Sequence, residues 1–385
     1  GNAVNHMFRE GIHNVNFVLC NTDSKALCDS PVPATIQLGK EGLGAGNRPE
    51  RAREAAEESL EEIHEMLDDG TKMVFITAGM GGGTGTGAAP IIARCAKEAG
   101  ILTVGIVTIP FKFEGMPKIN QALDGVEEIS KHVDALLVIN NERLREIYPG
   151  LTVMNAFAKA DDTLTVAAKS IAEIITMHGI MNLDFEDVTT VLKDGGVAIM
   201  STGYGEGEGR VTKALTEALT SPLLNHNDIF NSKKVLLNIN FCSDDEHTSL
   251  MMEEMNEIHD FMGKFRQDVE TKWGLATDST LGNKVKITLL ATGFGLQAIS
   301  GMSSYQEEKI GKLSDEDKRK QKTRDELIGI YYSDENNTSK HRHNNIFIYN
   351  AENMDNEDII SRVDATPTCR RTKDDLNRLK NEASE

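Results

Sequence analysis

Aromatic residues make up only 5% of the 385-residue chain, and there is a single Trp. So few rings do not suit a surface that stacks strings of bases. Positive charge is also short: 41 Lys and Arg stand against 60 Asp and Glu, a net charge of -19. Such a surface repels nucleic acid and anionic lipid, yet leaves room for one nucleotide in a local pocket. No apolar run approaches the roughly 18 residues of a membrane helix, and no signal peptide is visible. The five cysteines, Cys20, Cys28, Cys95, Cys242 and Cys369, are odd in number and scattered. None has metal spacing, so they read as reduced thiols of a cytoplasmic protein. What is present is a 39% hydrophobic share and enough length for two domains and a tail.

The first ~150 residues alternate short apolar runs with helical patterns, as βαβ units do. Val15 to Cys20, Met73 to Ala78, Ile101 to Thr108 and Ala135 to Asn140 read as strands. Continuous apolar runs of this kind suit buried parallel strands. Pro49 to Leu67 reads as one helix with its proline in the first turn. A long helical pattern from about Asn155 to Met177 carries no internal Gly or Pro and suits a strut between domains. Beyond it, strand candidates at Val197 to Ser201, Lys234 to Phe241 and Lys284 to Thr292 alternate with helical stretches at Arg210 to Thr220 and His247 to Met262. The expected fold is therefore α/β: a Rossmann-like domain over 1–154, a central helix over 155–178, and a second, smaller α/β domain over 179–300. Residues 301–385 turn charged in both signs, as a disordered linker does, before apolar residues and a basic cluster return.

The stretch Met80 to Pro90, "MGGGTGTGAAP", holds five glycines and nothing ionisable. It follows a strand and opens a helix near Ala88. Free N–H groups and the helix dipole favour an anion there. Gly81, Gly82, Gly83, Gly85 and Gly87 let backbone approach phosphate oxygens, and Thr84 and Thr86 add hydroxyls. The alternative is a tight turn with close helix–strand packing; five glycines in seven positions favour phosphate. A P-loop is excluded because no Lys follows the glycines. A dinucleotide site lacks its acidic residue at the end of the next strand, Thr108-Ile109-Pro110.

"GGGTGTG" in this setting resembles the signature loop of the tubulin superfamily, on its bacterial FtsZ side. The likeness runs in order through "GNAVNHM", "NTDSKAL", "GLGAGNRPE", "PFKFEG", "NAFAKADDTL", "MNLDFEDV" and "LLATGFG", about 300 residues. It implies a GTPase that polymerises head to tail into filaments of the cell-division ring, with GTP or GDP as ligand and Mg2+ carried on the nucleotide rather than by protein side chains. By position it assigns Gly1, Asn2, Asn21, Thr22, Asp23, Gly44, Ala45, Gly46 and the residues from Gly81 to Gly87 to the phosphates. Glu114 matches a ribose contact. Lys118 stands where the family has Arg, which keeps the charge but loses the fork of donors. Asn141 and Asp162 match positions that read guanine, and Phe157 one that stacks on it.

Asp184 and Asp187 are spaced i, i+3 at a helix entry, where capping is the ordinary explanation. The resemblance implies more: this loop, with Asn182, completes the site of the next subunit, and its acidic pair polarises the attacking water. It also implies a strand and further glycines ahead of Asn2, so the chain is expected to be part of a longer protein. The tail segment Asp364 to Arg371, "DATPTCRR", is expected to bind membrane-anchoring adaptors at mid-cell, with no nucleic acid partner and no membrane insertion. A filament protein without hydrolysis, or a nicotinamide-dependent oxidoreductase, would be the rival readings.

Overall fold

Every residue of the strand Leu102–Ile109 is buried on both faces, and the fold is built around that fact. The computed structural model describes residues 1–294 except 13, 149, 178, 221–228, 245–247 and 267, and these belong to one compact unit. The expectations for the linker and for Asp364 to Arg371 lie outside the described residues.

In the first half of the chain, the helices are α1 (Asn2–Glu10), α2 (Ser24–Cys28), α3 (Pro49–Glu58), α4 (Leu60–Leu67), α5 (Gly83–Glu98), α6 (Met116–Ser130) and α7 (Asn141–Ile147). They alternate with β1 (Val18–Asn21), β2 (Ala34–Gln37), β3 (Met73–Gly79), β4 (Leu102–Ile109) and β5 (Ala135–Asn140). Then come α8 (Val153–Thr176), β6 (Gly179–Met181), α9 (Phe185–Leu192), β7 (Gly196–Glu206), α10 (Arg210–Leu219), β8 (Lys234–Phe241), α11 (Glu254–Met262), β9 (Glu270–Thr277) and β10 (Lys284–Phe294).

Eight strands form one sheet in the order β3-β4-β5-β7-β10-β8-β9-β6. The first three are parallel, as continuous apolar runs joined through helices should be. β7, β10 and β8 are antiparallel neighbours, β9 is parallel to β8, and β6 closes the edge against β9. Within the sheet, the described residues of the two halves pair where Ala135 faces Gly196 and Leu136 faces Val197. β1 and β2 form a parallel pair of their own.

Alternation along β4 sends side chains into two cores. Val107 and Ile109 join Ile119, Ala122 and Val126 of α6. Val104 and Ile106 join Leu164, Ala168 and Ile171 of α8. α8 starts from Thr152, whose hydroxyl accepts the Asn155 amide, 3.2 Å. Its 24 residues span roughly 36 Å at 1.5 Å per residue. Alanines at 156, 160, 167 and 168 let it lie close against the sheet.

Three expectations are corrected. The helix over Pro49 to Leu67 breaks at Ser59, because that hydroxyl turns aside to accept the Gly39 amide, 2.9 Å. The helix after the glycines begins at Gly83 rather than Ala88. The helix ending at Met262 begins at Glu254, and β2, β6 and β9 were not foreseen as strands.

Candidate functional site

At the end of β3 the chain turns on Gly81, whose φ of 95° favours glycine. The turn is fastened from three sides. Met80 N–H donates to the Thr108 carbonyl, 2.8 Å. Gly81 N–H donates to Thr86 Oγ1, 2.9 Å. Gln121 of α6 donates to both the Gly81 and Gly82 carbonyls, 3.1 Å each. α5 then starts from Gly82 with no side-chain cap. Its first-turn amides therefore keep their donor capacity, which with the helix dipole makes a seat for an anion.

The glycines divide into two kinds. A methyl on Gly85 would overlap the Gly79 carbonyl, and one on Gly87 the Pro49 carbonyl. On Gly83 it would lie 2.7 Å from the Ala45 side chain. These three serve close packing of α5 on β3, α3 and the loop before it. Only Gly82 faces open space, with nothing within 4 Å of an added methyl. Packing thus accounts for three of the five glycines and leaves Gly82 outside that account.

Two more loops join this one. Thr22 Oγ1 lies 2.7 Å from Thr84 Oγ1, and the Thr22 carbonyl accepts the Gly44 amide, 3.0 Å. Asn21 Oδ1 accepts the Asp23 amide, and Asp23 caps α2. Gly44 and Gly46 both have positive φ, and Ala45 is buried against Gly83. Gly1 caps α1 with Asn2 following. Burial pushes the Asp161 carboxyl up and the Cys20 thiol up to about 11.

Beside the glycine turn, the Lys118 carbonyl packs under Gly81. Lys118 Nζ pairs with Glu114 at 2.7 Å, and the other Glu114 oxygen accepts the Phe111 amide, 2.9 Å. Buried Glu142 accepts the Lys112 amide, 3.0 Å, and so joins this turn to the start of α7. Next to it, buried Asn141 keeps an Oδ1 with no partner among the described residues, an acceptor left open to a ligand or water. Phe157 meets Phe111 and Phe113 edge-on, at 5.2 and 6.3 Å between centroids, while remaining 40% exposed. Asp162, two helical positions beyond Ala160, pairs with Lys159 at 2.7 Å and lies 3.9 Å from His6. All the expected phosphate, ribose and base residues therefore fall on one end of the α8 region. Gln121, Glu142, His6, Phe111 and Phe113 were missed; Gln121 alone had a signal, one turn after Lys118 on a helix.

A second cluster stands apart. Asp187 N–H donates to Asp184 Oδ1, 2.9 Å, and Asp184 N–H donates back to Asp187 Oδ2, 3.2 Å. This reciprocal cap opens α9. Asn182 Oδ1 accepts the Gly179 amide, 2.6 Å. Lys272 Nζ lies 2.9 Å from Asp187 Oδ1 and holds that carboxyl below the usual aspartate range, aided by the Asp184 amide. Along α8, Phe157 and Thr176 are separated by roughly 28 Å at the helical rise of 1.5 Å per residue. Phe157 and Asp162 lie near the start of α8, and the acidic pair follows its other end. Among the described residues no three His, Cys, Asp or Glu side chains converge to hold a metal, and no helix is long and apolar enough to cross a membrane.

Known proteins resemble this chain over nearly its whole length. Residues 1–149 match the family model of the tubulin/FtsZ GTPase domain, 196–295 that of the FtsZ family C-terminal domain, and 341–385 that of a further FtsZ C-terminal segment. The cell division protein FtsZ of Porphyromonas gingivalis is 52% identical over 99% of this chain and 85% of its own. That of Coxiella burnetii is 43% identical over 78% of each chain. An FtsZ dimer structure from M. jannaschii superposes with a TM-score of 0.69 at 39% identity, covering 76% of this chain and 84% of that one. CetZ2 of Haloferax volcanii, at 17% identity and a TM-score of 0.62, shares the fold. With the glycine turn, the three loops around it and the capped acidic pair all in place, the chain belongs to the FtsZ family of tubulin-like cell-division GTPases.

Proposed function

We propose that this chain hydrolyses GTP only when assembled, each complete site being made by two subunits. The observation that carries the reading is the roughly 28 Å of α8 between Phe157 and Thr176, which keeps the acidic pair away from the glycine turn of its own chain. In this reading the first-turn amides of α5 and the Thr84 and Thr86 hydroxyls cradle the phosphates. Glu114 and Lys118 reach the ribose, Asn141 and Asp162 read the guanine edge, and Phe157 stacks on the base. Asn21, Thr22, Asp23 and the residues Gly44 to Gly46 enclose the phosphates, with Gly1 and Asn2 at their border.

Asp184 and Asp187 of the next subunit orient a water for in-line attack on the γ-phosphorus. The new oxygen–phosphorus bond forms as the bond to the β-phosphate oxygen breaks; the carboxylates accept the hydrogen bonds of the attacking water, whose proton leaves with the released phosphate. Asn182 fixes the loop that presents them. A Mg2+ on the nucleotide would offset phosphate charge; the described residues offer it no side-chain site, and no step here depends on it.

Exposed apolar side chains support head-to-tail contact. Leu43, Val153 and Met154 belong to the segments around the nucleotide end, Ile180 and Met181 to the strand beside the acidic loop. Two different patches pairing in this way generate an open filament rather than a closed dimer. Residues 301–385 would connect the filament to membrane-anchoring adaptors at mid-cell. Support for that is the family match over 341–385.

The test is phosphate release from GTP per subunit against protein concentration. A rate near zero at high dilution that climbs past a threshold is expected. A constant rate per subunit at all concentrations would mean that one chain holds the whole site.

A further inference from the structure

The loop that carries the acidic pair is shaped by β9. Three contacts follow one another along this strand. β6 pairs with it, Gly179 opposite Ala276 and Met181 opposite Leu275. Leu183 lies on Gly274 so closely that a methyl there would sit 2.7 Å from Leu183 Cγ and 3.0 Å from the Met181 carbonyl. Finally Asp187 meets Lys272, 2.9 Å. Lys272 and Gly274 are two residues apart, on one face of the strand. The loop therefore runs back along that face, crosses at the glycine and is caught at the lysine.

We propose that Lys272 is a positioning residue for GTP hydrolysis, fixing the Asp187 carboxylate in the geometry that the loop presents to the neighbouring subunit's nucleotide. The inference rests on the reading above, that Asp187 acts across the subunit contact. Both Asp187 oxygens are committed, one to Lys272 and one to the Asp184 amide. Asp184 spends one oxygen on the Asp187 amide and is exposed to the outside. The charged groups facing this site are Asp184 and Asp187 on the loop, and Lys272 with Glu270 on β9. Without the ammonium, Asp184 and Asp187 on the loop and Glu270 on β9 are left with no counter-charge. Asp187 would lose the partner that holds its carboxyl below the usual aspartate range, and would take up a proton at higher pH. Lys272 thus serves twice, holding the carboxylate in place and holding it charged.

The experiment compares full-length Lys272→Met, Lys272→Arg and Asp187→Ala with the parent chain. Turnover is measured per sedimented subunit from about pH 3.5, just below the ordinary aspartate value, to about pH 8, and GTP affinity is measured at high dilution. Lys272→Met is expected to lower turnover about tenfold or more through misplacement of the carboxylate. It should move the acid limb of the profile to higher pH and leave GTP affinity unchanged. Lys272→Arg, which keeps the charge, should restore most of the rate and the original limb. Should Lys272→Met assemble poorly alone, it is doped into parent filaments, where turnover should fall in proportion to its share. Parent-like turnover and an unshifted limb in Lys272→Met, alone or doped, would overturn the inference. So would a Lys272→Arg chain as slow as the Met variant. If Asp187→Ala keeps its turnover, the shared-site reading itself fails; if Asp187→Ala is silent while Lys272→Met is normal, only the role of Lys272 fails.

Discussion

Gly82 and Gly85 sit three residues apart in the same motif, yet substitutions at them should have opposite consequences. An alanine at 85 drives its methyl into the Gly79 carbonyl. Overpacking of this kind costs about 1–3 kcal/mol, and a thermal melt should register it. Gly82 has extended φ and open space around it. Its alanine variant should melt with the parent protein and lose GTP affinity, read by nucleotide titration. Equal destabilisation by both would show that the whole motif is packing. The sequence displayed all five glycines but could not sort them, because the atoms they approach come from β3, α3 and the 45–48 loop. Gln121 was hidden for the same reason, lying 40 residues from the carbonyl it holds. Asp184 and Asp187 were legible as a pair. Lys272 was not, since its partner lies in a distant loop and its own surroundings, "VETKWG", look like a polar connection.

Among the elements, α10 and α11 depend on one buried ion pair. Arg210 is 6% exposed and meets both oxygens of Glu254, at 2.7 and 3.0 Å, with further bonds to the Thr248 and Ser249 carbonyls. Burial works against the Glu254 charge, but the guanidinium and the Met251 amide overcome it and hold the carboxyl below the usual glutamate range. Removing one partner of such a pair costs about 3–5 kcal/mol, so Arg210→Met should unfold at markedly lower denaturant. The pH sign follows from the lowered carboxyl. Its contribution is complete above the ordinary glutamate value of about 4.3 and is lost as pH falls through the lower folded value. The stability gap between parent and Arg210→Met should therefore narrow in acid; a gap that widens there would remove Glu254 from the account. At this scale the apolar strands were readable, β5 and β8 to the residue. β9 was not, because "ETKWGLAT" mixes charge and glycine into a strand that is held by neighbours on both sides. The single helix foreseen over Pro49 to Leu67 failed through one hydroxyl, whose partner at Gly39 no helical pattern can reveal.

For the whole molecule, the expected separation of tasks can be tested by truncation. A chain ending at residue 300 should still sediment with GTP and turn it over, while losing capture by membrane-anchoring adaptors. Adaptor capture that survives the deletion would place the docking segment elsewhere. Asp187→Ala should bind GTP with nearly parental affinity as an isolated subunit and yet be unable to support turnover in filaments. Loss of affinity at high dilution would return Asp187 to its own chain's pocket.

The length of α8 also fixes a count. If each site needs the glycine turn of one subunit and the acidic loop of the next, a filament always has one fewer complete site than it has subunits. A pair of subunits has one, and would work at half the rate per subunit of a long filament. The unmatched glycine turn always belongs to the same end. The nucleotide seated there keeps its γ-phosphate until another subunit arrives, so a growing filament carries an intact GTP at that tip. The opposite tip ends in an acidic loop with nothing to act on. On the shared-site reading, a helix that merely holds two clusters apart would give the two ends of every filament different chemical fates.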